Sequence, residues 1–235
     1  MTPTGRLGVG IIGAGRVGPV LAAALGGAGH SIVGMSAVTP ANRERAQSMV
    51  PGVPILDIPD LVERSELVIL AIPGHSISSL VTGLAETGAW QLGQLVAHTA
   101  PEFGYSVLAP AARAGAIPLA IHPVMVFTGT SLDLVRLRDS WCAVAAPTAV
   151  LPIAQALAVE MGAEPVVVRE EDRAAYAEAV QTASAFSAEI VRQASALLAG
   201  IGMPRPGAVL GPLVRSAVEA ALMEAGTAGT TGMTP

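Results

Sequence analysis

Near its N-terminus the chain reads Leu7-Gly8-Val9-Gly10-Ile11-Ile12-Gly13-Ala14-Gly15-Arg16-Val17-Gly18. The first six residues form an apolar run that predicts a buried strand, and a helix-like segment follows over residues 17–25. The G-x-G-x-x-G pattern thus lies at a strand–turn–helix junction, where it indicates a dinucleotide-binding turn. Gly13 permits the tight turn, Gly15 has no side chain to block a pyrophosphate, and Gly18 allows the helix to pack closely on the strand.

The composition is that of a compact globular protein with neither a nucleic-acid nor a membrane partner. Hydrophobic residues make up 51% of the 235 positions, and all 13 basic residues are arginines without a basic cluster. No apolar stretch of about 18 residues is free of Gly, Pro and charge, so no membrane span is predicted. Without lysine, P-loop and Schiff-base chemistry are excluded. Cys142 allows no disulfide, is expected to be a buried structural thiol, and fits a reducing cytoplasm.

Strands and helices alternate over residues 1–168, which predicts an α/β fold with a Rossmann-type, doubly wound, mostly parallel sheet. After the first strand, further strands are predicted at 31–36, 53–56 (weak), 67–72, 95–98, 118–121, 140–145 and 165–168. Residues 170–199 lack Gly and Pro and show helical periodicity, and a second helix is predicted over 207–224. The sequence therefore predicts a small all-helical C-terminal domain, 169–235.

Three of the four histidines follow predicted strands at the sheet edge where open α/β sheets bind their ligands. They are His75, His98 and His122. A histidine at a strand end can equally be a hydrogen-bonded structural residue, so both interpretations stay open for each of them. No pair of His, Asp or Glu residues has the spacing of metal ligands on a helix, so no metal site is predicted.

The choice of cofactor depends on the end of the second strand. An NAD site usually carries Asp or Glu there, whereas this chain has Ser36 and Ala37. Arg43 and Arg45 follow in the next helix, where they either bind a 2′-phosphate or form solvent-exposed helix surface. The sequence favours NADP, with NAD as the alternative. The predicted cofactor-binding residues are Gly13, Ala14, Gly15, Arg16, Val17, Gly18, Ser36, Arg43, Ile72, Pro73, His75 and Thr99.

Four segments together resemble a known group of proteins. They are the glycine turn, Val-Ile-Leu-Ala-Ile-Pro at 68–73, Val-Ala-His-Thr at 96–99 and Ala-Ile-His-Pro at 120–123 with Phe127. Over nearly its whole length the chain is similar to the uncharacterised Rossmann-like oxidoreductases, which join a Rossmann-like domain to a helical domain of unknown function. That group is related to deazaflavin-dependent NADP oxidoreductases, pyrroline-5-carboxylate reductase and 6-phosphogluconate dehydrogenase-like proteins. The resemblance implies NADP(H) in the first domain, substrate at the junction with the helical domain, and a homodimer formed through the C-terminal helices.

The chain departs from that group where the substrate is expected. Ala100-Pro101 stand in place of Ser-Gly, Tyr176-Ala177 in place of Tyr-His, and Ser184-Ala185 in place of Ser-Asn. An asparagine would hydrogen-bond the substrate or the nicotinamide, and alanine cannot. The relatives continue beyond Pro235, so the helical domain is expected to be truncated relative to theirs.

The leading hypothesis is a cytoplasmic, dimeric, NADP(H)-dependent oxidoreductase that acts on a small carbonyl or imine substrate. His98 or His122 would donate a proton as the hydride moves, beside Tyr176 and Ser184 from the helical domain. The alternative is a catalytically inactive dinucleotide-binding protein that serves as a sensor or scaffold, which the alanine substitutions favour. A third interpretation is that the chain binds no dinucleotide.

Overall fold

The computed structural model describes residues 6–228, which form a seven-stranded sheet and surrounding helices. The strands are β1 Gly8–Ile12, β2 Ser31–Ser36, β3 Leu67–Leu70, β4 Leu95–His98, β5 Ile117–Pro123, β6 Trp141–Ala145 and β7 Glu164–Val167. The helices are α1 Gly18–Gly27, α2 Pro40–Met49, α3 Ile58–Glu63, α4 Ile77–Glu86, α5 Ala109–Arg113, α6 Leu132–Arg138, α7 Leu151–Glu160, α8 Arg173–Gln181, α9 Ser187–Gly200 and α10 Pro206–Ala228.

The strand order is β2-β1-β3-β4-β5-β6-β7, and β1 to β5 are all parallel. β6 runs antiparallel to β5, and β7 is parallel to β6. The chain moves from β1 to one side for β2 and returns to the other side for β3, so the order reverses between β1 and β3. This topology confirms the predicted doubly wound, mostly parallel sheet, and it places a ligand crevice beyond the carboxyl ends of β1 and β3.

The sheet is covered on both faces. In β3, Leu67 and Ile69 belong to one hydrophobic cluster, while Val68 and Leu70 belong to the other. All four side chains are buried, because successive residues of a strand point to opposite faces and helices pack on each. Cys142 of β6 is fully buried, which confirms a structural environment for the thiol.

Three local predictions differ from the structure. The weak strand predicted at 53–56 is reduced to an isolated bridge between Met35 and Ile55, because Pro54 has no N–H to extend the ladder. Helix α6 was not predicted; the carboxylate of Asp133 caps the loop before it by accepting the backbone N–H groups of Thr128 and Gly129. The single helix predicted over 170–199 is interrupted by a π-helical segment at Thr182–Phe186.

The chain forms two compact units, Met1–Glu178 and Ala179–Pro235. The first carries the sheet, and the second contains α9 and α10, which pack on each other. The boundary predicted near residue 169 stays a prediction, and residues 229–235 of the predicted helical domain lie outside the described residues. Over residues 6–228, no helix combines the length and the apolar character needed to cross a bilayer.

Candidate functional site

The turn between β1 and α1 brings backbone groups together more closely than side chains allow. Gly13 has φ +108°, and a Cβ there would overlap the carbonyl oxygen of Ala71. A Cβ on Gly18 would overlap the carbonyl oxygen of Gly13, so helix and strand approach as closely as the pattern predicted. Gly15 has no atom within 4 Å of its Cβ position. The first and third glycines therefore shape the turn, and the second leaves its outer side open.

A cavity of about 660 Å³ lies beside this turn, beyond the carboxyl ends of β1 and β2. Its lining includes Gly13, Gly15, Ser36, Asn42 and Ile72. The Ser36 hydroxyl accepts a hydrogen bond from the Gly13 N–H (3.2 Å), which ties the end of β2 to the turn. This cavity thus combines the open side of the turn with the end of β2.

A second cavity of about 430 Å³ adjoins the first one through three shared lining residues, Ala71, Ile72 and Pro73. Its lining also includes Arg16, Val17, Thr99, His122 and Phe127. Glu102 and Met125, which sequence reasoning missed, line it as well. Both follow strand ends within five residues, so position after a strand is the signal that could have found them. We call these two adjoining cavities the cleft; the glycine turn lies on the first of them and His122 on the second.

His98 ends β4 and is fully buried. The backbone N–H of Ala100 donates to its Nδ1 (3.2 Å), so the proton sits on Nε2, which donates to the carbonyl oxygen of Gly104 (2.8 Å). Burial lowers the pKa of His98 to about 4. Both ring nitrogens are thus engaged by the main chain, and the imidazole holds the turn after β4.

His122 of β5 lies on the wall of the second cavity and pairs with Tyr176 of α8. Its Nδ1 and the Tyr176 hydroxyl oxygen are 2.6 Å apart, and the two rings meet edge to face with centroids 5.7 Å apart. Burial, followed by the nearby Arg173 guanidinium, lowers the pKa of His122 to about 4. Burial also raises the pKa of Tyr176 to about 12. The pair is therefore neutral at pH 7, with His122 Nε2 free of any hydrogen bond to the described residues.

Several other predicted residues lie apart from this pair. His75 is exposed in a 3₁₀ turn and lines neither cavity, and Arg43 is exposed on α2 outside both linings. Ser184 belongs to the unit Ala179–Pro235, where its hydroxyl donates to the carbonyl oxygen of Val180 (2.9 Å). Arg45, weighed beside Arg43, donates to the side-chain oxygen of Asn42 (3.0 Å). Their roles in binding and catalysis stay predictions.

The lowered histidine pKa values predict loss of stability in mild acid. In the unfolded chain His98 and His122 become protonated as the pH falls below 6.5. In the folded chain, where their pKa is about 4, they stay neutral until about pH 4. The free energy of unfolding should fall through that window by up to about 3 kcal/mol for each histidine, since one pKa unit is worth about 1.4 kcal/mol. Urea unfolding at half-unit pH steps measures it, and H122F should show a shallower loss. A free energy that stays constant from pH 7 to pH 5 would contradict the assignment.

The profile of the Rossmann-like domain family matches residues 2–123, just over half of the chain. The chain belongs to this family. Residues 140–234 match a second profile, the domain of unknown function DUF2520. The pairing of a Rossmann-like domain with that helical domain confirms the resemblance found in the sequence. No curated protein matches the chain.

Solved structures share the fold at low sequence identity. BF3122 from Bacteroides fragilis, provisionally named an NADP oxidoreductase, has a TM-score of 0.76 at 20% identity over 92% of this chain and 80% of that one. An imine reductase from Streptomyces aurantiacus has a TM-score of 0.68 at 18% identity, over 95% and 77% of the two chains. A pyrroline-5-carboxylate reductase from Coxiella burnetii has a TM-score of 0.63 at 13% identity, over 98% and 86%. At such identities the likeness establishes the fold.

Proposed function

We propose that the protein is an NADP(H)-dependent oxidoreductase that reduces a small carbonyl or imine. The observation that carries the proposal is the pair of adjoining cavities that share Ile72 and Pro73, one beside the glycine turn and the other lined by His122, the partner of Tyr176. Dinucleotide and proton donor would thus meet in one space, as the transfer of a hydride and a proton requires. The oxidoreductase names of the structural neighbours support the same reaction class.

The residues present fit a dinucleotide. The open space beside Gly15 admits a pyrophosphate, and the backbone N–H groups at the start of α1 would face it. The end of β2 carries Ser36, whose hydroxyl is engaged by Gly13, and no carboxylate that would repel a 2′-phosphate. Arg43 on the exposed face of α2 would pair with that phosphate. The nicotinamide end would lie along Ile72, Pro73 and Thr99.

His122 and Tyr176 would supply the proton while the cofactor supplies the hydride. Because His122 is neutral at pH 7, the proton would come from the Nε2–H of its imidazole. His122 would donate this proton to the substrate oxygen or nitrogen as negative charge develops there. The Tyr176 hydroxyl, 2.6 Å away, would return a proton to Nδ1 and be reprotonated from solvent. The relay moves one proton and leaves no charge buried. His98 would support the cleft by holding the turn after β4.

Binding to NADPH tests the proposal directly. Saturation with NADPH should raise the free energy of unfolding by about 2.7 kcal/mol at a hundredfold excess over Kd, and therefore raise Tm by several degrees. NADPH should bind more tightly than NADH, and R43A should weaken NADPH alone. Thermal shift and fluorescence titration measure both. A Tm unchanged by millimolar NADPH and NADH would show that the protein binds neither dinucleotide and would contradict the proposal.

We also propose that the chain functions as a homodimer joined through α9 and α10. No residue from 179 to 225 is buried, and a helical unit of that size needs a covered apolar face to be stable. Its exposed large apolar side chains include Phe186, Ile190, Leu197, Leu213 and Leu222. A sedimentation mass of one chain at micromolar concentration would contradict the dimer.

A further inference from the structure

Arg173, the first residue of α8, is only 2% exposed, yet its guanidinium has no hydrogen-bond partner. Nε and both terminal nitrogens are buried, and each lacks an acceptor among the described residues. Its Cζ lies 5.8 Å from the centre of the Tyr176 ring, so it stacks on the residue that bonds His122. A planar cation with five N–H donors thus lies next to Tyr176, one of the two residues of the proposed proton relay.

Among the described residues, none of the groups around Arg173 is a counter-ion hydrogen-bonded to its guanidinium. His98 and His122 are neutral at pH 7, as is Tyr176, and burial raises the pKa of Cys142 to about 12, so its thiol is neutral as well. Glu170 is the carboxylate that interacts with Arg173 electrostatically. Its two oxygens accept hydrogen bonds from the backbone N–H (3.2 Å) and the hydroxyl (2.7 Å) of Ser106.

A buried arginine with a purely structural role normally donates to carbonyl or carboxylate oxygens, because an unpaired charge in a dry environment is strongly unfavourable. Arg173 makes none of these bonds. A buried cation without a protein partner beside a reaction centre is what we expect where an anionic ligand binds.

We propose that Arg173 binds the carboxylate of the substrate, so that the substrates are small oxo acids or imino acids. The proposal rests on the proposed function, because it places the carboxylate beside the carbon that receives the hydride. A guanidinium pairs with a carboxylate through two parallel hydrogen bonds. Arg16, which also lines the second cavity, belongs to the glycine turn proposed for the dinucleotide. A single guanidinium fits a singly charged carboxylate better than a phosphate dianion, which costs more to desolvate.

The ligand would reach Arg173 from the second cavity. His122 lines that cavity, Tyr176 is hydrogen-bonded to His122, and the Tyr176 ring covers the guanidinium. The Tyr176 ring would therefore tilt off the guanidinium when the carboxylate binds, while its hydroxyl stays hydrogen-bonded to His122 Nδ1. The same side chain would then both uncover Arg173 and supply the proton to His122.

Calorimetric titration of the wild-type protein, with and without NADP⁺, tests the inference. The probes are pyruvate, 2-oxoglutarate and 1-pyrroline-5-carboxylate, each paired with a neutral analogue that lacks the carboxylate, and inorganic phosphate. The expected result is that at least one acid binds ten- to a hundredfold more tightly than its neutral partner, and that R173M removes this preference. R173K should keep part of this preference, because the lysine ammonium keeps the positive charge but cannot make the two parallel hydrogen bonds of a guanidinium.

Two controls separate a ligand role from a structural one. R173M should keep NADPH affinity and have an equal or higher Tm, since a buried unpaired charge has been removed. R169M, four residues away at an exposed arginine paired with Asp172, should change neither carboxylate binding nor NADPH binding. A clear fall in Tm for R173M with unchanged acid binding would show a structural arginine.

The outcomes also separate the two proposals. If NADPH binds but no acid is preferred over its neutral analogue, the Arg173 proposal fails and the proposed function stands. If phosphate binds more tightly than every acid and R173M abolishes phosphate binding, the proposal that Arg173 binds a carboxylate is overturned. If NADPH does not bind, the proposed function fails, and acid binding without cofactor still decides whether Arg173 is an anion site.

Discussion

Replacing His122 by glutamine is expected to lower kcat by about 10²–10⁴-fold, the usual worth of a positioned proton donor, while NADPH affinity stays within about twofold. His122 lies on the cavity wall with its Nδ1 2.6 Å from the Tyr176 hydroxyl, and a glutamine amide cannot pass a proton from one side to the other. Y176F should cost less than H122Q, because the imidazole keeps its own Nε2 proton and loses only the group that restores it.

Absorbance at 340 nm follows NADPH oxidation with any carbonyl or imine that the wild type reduces. H75Q is the matched control, because His75 is exposed and lies outside both cavities. Its kcat should equal that of the wild type. H122Q with full turnover would show that the proton comes from elsewhere in the cleft. NADPH binding without reduction of any carbonyl or imine would instead favour the catalytically inactive sensor or scaffold.

Valine at Gly15 and valine at Gly18 are expected to fail in opposite ways. G15V should lower NADPH affinity by at least ~100-fold, about 2.7 kcal/mol, because its side chain would fill the space proposed for the pyrophosphate. The fold should tolerate it, since no atom lies within 4 Å of that Cβ position. G18V should instead destabilise the fold by about 3 kcal/mol, because its Cβ would overlap the Gly13 carbonyl oxygen and force the helix off the strand.

Urea unfolding gives the stability of each variant, and NADPH fluorescence titration gives its affinity. G83V is the control, since Gly83 is an exposed helix residue with open space at its Cβ position and lies outside both cavities. It should show neither effect beyond a small stabilisation, because valine has a higher helix propensity than glycine. If G15V binds NADPH as tightly as the wild type, the pyrophosphate does not bind at the glycine turn.

Much of the fold follows from local patterns in the chain. Strand β4 (Leu95–His98) has the predicted bounds, since an unbroken apolar run makes the strand. The predicted strand at 53–56 is reduced to one bridge because Pro54 has no N–H with which to extend the ladder. Helix α6 escaped prediction because the bonds of Asp133 that shape its start form only in the folded loop.

The sequence by itself determined the doubly wound sheet and the glycine turn, because strand, turn and helix signals lie within a few adjacent residues. It also placed three histidines at strand ends, without distinguishing among them. Only the tertiary structure decided that His98 is held by the main chain at Ala100 and Gly104, and that His122 faces the cleft with Tyr176, 54 residues away. It alone showed Arg173 buried without a partner. Burial and partners depend on residues distant in the chain, so the chemistry of these side chains is set by packing.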